Sequence, residues 1–216
     1  MRDGFESFRA VVLIVAIGLA FSVSRATADQ SAPASGVYDS LLLGLDPTDG
    51  TLSGVVQADW VGNGTEKAPQ FSCRFALGGK ASAPGQYAIS AWLPGDRIAP
   101  DRSTLKGALA VKKGSVTVTL EQQPGGCQYL MADSSFDADL VAKHAWRAVR
   151  IVKAQRAYFY ATPSDTARQK SFVVRGDGLG VVAMQTDWAE VEYVKDERIT
   201  HGWIKAGDLF PDHPDQ

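Results

Sequence analysis

Histidine and cysteine are scarce in this 216-residue chain, three and two respectively, and past the first thirty residues no apolar run is long enough to cross a bilayer. Two cysteines with the scattered His144, His201 and His213 do not supply the ligand set of a zinc centre, so no metal is expected. Catalytic signatures are missing too: there is no Gly-x-Ser-x-Gly elbow, His-Glu-x-x-His helix, phosphate loop or dinucleotide fingerprint. Paired carboxylates for glycoside cleavage stay open, because pairing in space leaves no mark on a sequence. Basic charge is not in excess, with 22 Lys and Arg against 24 Asp and Glu, and this argues against a nucleic-acid partner. Together these absences point to a protein without catalysis or cofactor.

Apolar and aromatic residues are well supplied: the chain is 45% hydrophobic and holds five Trp, six Tyr and nine Phe, enough for one or two packed domains. At the start, Arg2 and Arg9 precede an apolar run over residues 10–23, followed by the small residues Ala26, Thr27 and Ala28. This layout predicts a signal peptide over residues 1–28, cleaved after Ala28, and a periplasmic or secreted mature chain. The other reading, an uncleaved anchor, needs roughly 20 apolar residues where the run has about 14. No Cys follows the signal to carry a lipid. In an exported chain the pair Cys73 and Cys127 is most simply one disulfide, the alternative being two buried thiols.

Beyond a short polar lead, alternating segments recur between turn signals over residues 36–132. In Ser115-Val-Thr-Val-Thr-Leu120, Val116, Val118 and Leu120 share one face while the threonines share the other, the mark of a half-buried strand. Seven such segments, the last beginning at Cys127, predict an antiparallel β-barrel or sandwich, stapled by the disulfide. Residues 133–147 break the pattern with Ser and Asp followed by Ala, Leu and Lys, and are expected to form a linker with a short helical turn. Strand-like alternation resumes over residues 148–211 as five segments, the number a small half-open barrel needs. The fold class is therefore mainly β, in two units.

Three pieces of the second unit, YFYATPSD, VVRGDGLGVVAMQTDWAEVEYV and GWIKAGDLF, carry a resemblance to the bacterial SH3-like (SH3b) domain. The matching positions are Pro163-Ser164, Arg175-Gly176-Asp177, Trp188 with Val191, Gly202-Trp203-Ile204, and Leu209. Where many members show Asn-Val-Arg-x-Gly-Pro, this chain has Tyr158-Phe159-Tyr160-Ala161-Thr162-Pro163, so ligand roles of the missing residues do not transfer. The resemblance implies a C-terminal SH3-like five-strand barrel used for recognition of a cell-wall peptide, a glycan or an envelope protein.

Strand alternation places Phe159 in the core and leaves Tyr158 and Tyr160 together on an outward or rim face. Trp203 is expected mainly in the core, with Ile204 on the same face, a ligand platform being its alternative. Tyr158, Tyr160, Trp188 and Trp203 are thus the candidate ligand-binding residues. His201 and the charged segment Lys195-Asp196-Glu197-Arg198 read as an exposed hairpin. Two alternatives accompany the binding-module reading: a periplasmic inhibitor or immunity-like protein acting through the N-terminal unit, and an accessory protein of a wall hydrolase.

Overall fold

The structure, a computed structural model, describes residues 32–66, 68–93, 104–131 and 133–211. The expected signal peptide lies outside these residues. Fourteen strands are described. The first eight are β1 Gly36–Tyr38, β2 Leu41–Leu45, β3 Thr51–Trp60, β4 Phe71–Ala83, β5 Gln86–Trp92, β6 Leu105–Lys112, β7 Ser115–Leu120 and β8 Ser135–Lys143. Each pairs antiparallel with the next, and β1 pairs with β8 to close a barrel.

Barrel closure settles the choice between barrel and sandwich, and the closing strand comes from the expected linker. Residues 133–147 form no helical turn; Phe136 and Ala138 point into the core while Asp137 and Asp139 face out. The two-residue period was present there, but Asp and Ala are poor strand formers and hid it. Conversely, the stretch beginning at Cys127 is a turn rather than a strand, its Met131 N–H bonded to the Cys127 carbonyl at 2.9 Å. Cys73 on β4 and Cys127 in that turn form the disulfide, 54 residues apart in sequence. Inside, Leu43, Leu52, Val56, Phe75, Leu109, Val116 and Val118 are fully buried. Such side chains contribute about 1.5–3 kcal/mol each by leaving water.

The second sheet contains β9 Ala148–Ile151, β10 Arg156–Tyr160, β11 Arg168–Val174, β12 Gly178–Gln185, β13 Trp188–Lys195 and β14 Arg198–Lys205. Their order is β11-β10-β14-β13-β12-β9. Six strands replace the expected five because a turn at Arg175-Gly176-Asp177 divides the third segment into β11 and β12, which lie apart in the sheet: Gly176 takes φ 93°, and the Asp177 carboxylate accepts the Val174 N–H at 2.8 Å. After β14 the chain returns to β9, where Val152 bridges Leu209 and the Phe210 N–H donates to the Ile151 carbonyl. One face of this sheet encloses Ala157, Phe159, Val173, Leu179, Val181, Val191 and Ile204.

A third apolar cluster joins the units. Val55, Ala76 and Trp92 on the barrel wall meet Trp146, Val149 and Ile151. Here the Val149 N–H donates to buried Ser53 Oγ at 2.9 Å, satisfying a polar group that burial would otherwise penalise. Trp146 lies against Gly180 so closely that a Cβ there would sit 2.0 Å from the indole. Its Nε1 donates to Glu192 Oε2 at 2.7 Å, and His144 Nδ1 meets the same oxygen at 2.7 Å.

Candidate functional site

Strand register brings all four candidate residues onto one face of the second sheet. On β10 Ala157 and Phe159 point inward, so Tyr158 and Tyr160 point outward, as expected. Tyr160 stands opposite Trp203 on β14, Trp203 stands opposite Glu190 on β13, and Trp188 stands opposite Lys205. Because Gly202 and Ile204 are buried, Trp203 points the other way and is only half-buried. The expectation that Trp203 and Ile204 share a core face fails for the elementary reason that successive strand residues alternate.

Tyr160 corrects a second expectation. It shares the outward face with Tyr158 but is 8% exposed, because the Trp188 ring packs edge-on against it with centroids 4.7 Å apart. Lys205 Nζ lies 5.7 Å from the Trp188 ring and pairs with Asp165, whose hydrogen bond pushes the lysine pKa up. His201, two pairs along β14 from Trp203, is an exposed strand residue bound to Glu190 at 3.0 Å rather than a loop histidine. The hairpin tip turns at Asp196 and Glu197, both at positive φ.

Towards the sheet edge the same face continues through residues that sequence reasoning missed. Tyr158 stands opposite exposed Phe172, with ring centroids 5.7 Å apart. Arg168 lies 4.6 Å above the Tyr158 ring and Arg156 lies 4.8 Å above that of Phe172. The stretch Arg168 to Val174 reads as an ordinary strand, and only the pairing register reveals that Arg168 crosses over to a ring of β10 while Arg156 of β10 crosses over to Phe172.

A second aromatic surface stands at one end of the barrel, also unforeseen. Trp60 ends the inward-facing row of β3, and Phe71 begins that of β4 directly opposite. Tyr129, from the turn after Cys127, stacks on Trp60 at 5.5 Å and tilts against Phe71 at 4.6 Å. Trp60 and Tyr129 are 54% and 55% exposed, and with Ala58, Asp59, Cys73 and Leu130 they line a cavity of about 150 Å³. The disulfide anchors Tyr129 by holding the start of its turn to β4.

A larger cavity, about 470 Å³, opens between the barrel wall and the connection, lined by Asp46, Asp49, Ser53, Lys80 and Arg147. Arg147 donates to both Asp46 carboxylate oxygens, at 2.8 and 3.2 Å. That guanidinium, with the Thr48 N–H, lowers the Asp46 pKa to about 2. No cluster of three or more His, Cys, Asp or Glu arranged for a metal occurs among the described residues. Nor is any helix among them long and apolar enough to cross a membrane.

No family model, curated protein or solved structure matches the chain. What its geometry defines is a disulfide-stapled, closed eight-stranded barrel packed against a six-stranded antiparallel sheet that presents aromatic rings on its outward face.

Proposed function

We propose that the protein is a non-catalytic, exported binding protein of the cell envelope, in which the C-terminal sheet is an SH3-like module that holds a cell-wall peptide or glycan on its outward face. The observation that carries this reading is the gathering of Tyr158, Tyr160, Trp188 and Trp203 from three strands onto one face of that sheet. Rigid aromatic rings flanked by cations are what recognition surfaces use, since they offer contact area with few torsions to freeze. The return of the chain to β9 through Leu209 supports a curled, SH3-like sheet, and the disulfide fits an oxidising compartment. Mature protein should sediment with purified peptidoglycan, and Tyr158→Ala combined with Trp203→Ala should release it. Wild-type protein remaining wholly in solution would end the wall reading.

The Trp60, Phe71 and Tyr129 cluster favours a second reading, in which the N-terminal barrel is an inhibitor or immunity-like protein that blocks an envelope enzyme or toxin. Affinity capture from envelope extract should then recover one stoichiometric protein, lost with Trp60→Ala. Recovery of none would remove this reading.

A further inference from the structure

We propose that the free edge of β11 is a docking site for an extended, acidic peptide, which adds to the sheet as a further strand. Among the described residues β11 ends the sheet, pairing only with β10. Such an edge presents backbone donors and acceptors that a partner strand can satisfy. At its far end the Val174 N–H is already taken by Asp177, so the open part of the edge lies before Val174.

Charge selects the partner. Arg168, Lys170, Phe172 and Val174 are exposed along the edge, and Arg156 stands opposite Val174 on β10. Both Arg156 and Arg168 lie over rings, and among the described residues neither has a carboxylate partner. The nearby acids are engaged, Asp165 by Lys205 and Asp177 by the Val174 N–H. Two unanswered guanidiniums in a chain of net charge −2 are a local excess of positive charge. A guanidinium fork matches a carboxylate in two parallel hydrogen bonds, and the ring beneath it holds the fork flat.

A second copy of the chain suits this edge less well. It would bring the same cations and only carboxylates that are already engaged, and the lysine and the register shift between Tyr158 and Tyr160 are the devices by which sheet edges resist pairing with themselves. A peptide with acidic residues followed by alternating apolar ones answers Arg168 and Lys170 with charge, and Phe172 and Val174 with contact.

The test is fluorescence anisotropy with labelled ten-residue peptides that carry Glu at the alternate positions of one half and Val at those of the other, with Thr between, titrated with the mature protein at low salt. Binding is expected to weaken roughly tenfold when Glu is replaced by Gln, and by a similar factor in the Arg156→Gln, Arg168→Gln variant. N-methylation of alternate peptide amides should abolish it in one of the two phases. No binding by the acidic peptide, equal binding of the Gln peptide, or indifference to N-methylation in both phases would each overturn the proposal. Concentration-dependent dimerisation lost in the double Arg variant would overturn it in favour of a second copy. This inference does not rest on the wall reading: peptide binding by protein that ignores peptidoglycan would sink only the latter.

Discussion

Truncating Trp146 to alanine removes an indole that is 2% exposed and touches both halves of the chain. Its loss empties the seam between barrel and sheet and deprives Glu192 of one of two close donors. Large-to-small changes of this kind cost about 3–5 kcal/mol, a large share of a domain's usual 5–15 kcal/mol. Gly180→Ala probes the same contact from the other side. The new methyl would meet three indole atoms at 2.0 to 2.3 Å, and a ring held in a packed seam has little room to retreat. Overpacking there should cost about 1–3 kcal/mol. In the Trp146→Ala background the methyl enters vacated space, and Gly180→Ala should become neutral or stabilise by up to about 1 kcal/mol. Urea unfolding of the four proteins, followed by far-ultraviolet circular dichroism, closes the cycle. Costs that add to within about 0.5 kcal/mol would refute the contact, and a Trp146→Ala penalty below about 1 kcal/mol would refute the seam.

Replacing Cys73 and Cys127 by serine should lower stability by up to about 4 kcal/mol, since the bridge closes a loop of 54 residues' separation; equal urea midpoints with and without the bridge would contradict this. The depressed pKa of Asp46 contributes stability that is present above the ordinary value of 3.8 and is lost as pH falls through about 2. Asp46→Asn should therefore lower the melting temperature at pH 6, with the gap to wild type closing by pH 2; a gap that widens on acidification has the wrong sign. Gly44→Ala should destabilise, because its Cβ would sit 2.5 Å from backbone carbon of Ala148, an atom no side-chain rotation can move; an unchanged thermal midpoint would refute that packing. Trp60→Ala should change stability by no more than about 0.5 kcal/mol, as the ring is 54% exposed; a larger loss in urea would show the ring to be structural.

The alternation of apolar and polar residues made the strands readable wherever side chains matched the preference of a pleated surface. Val116, Val118 and Leu120 announced β7, whereas the equally regular β8 was concealed by Asp137, Ala138 and Asp139. The outward pairing of Tyr158 with Tyr160 was legible for the same reason, yet the covering of Tyr160 by Trp188 was not, because it depends on a neighbouring strand. Trp60, Phe71 and Tyr129 carry no joint signature; 57 residues of chain separate Phe71 from Tyr129.

Local chemistry in the chain specified a mainly β protein in two units, a pair of cysteines suited to one bridge, and an outward tyrosine pair, since each rests on neighbours in sequence or on counting. Which strand closes the barrel, which face Trp203 occupies, how Trp146 locks sheet to barrel and where Arg156 and Arg168 find their rings all depend on register between distant strands. Register is a property of pairs of strands, selected when both sides of a contact are packed, and a single strand's pattern does not contain it.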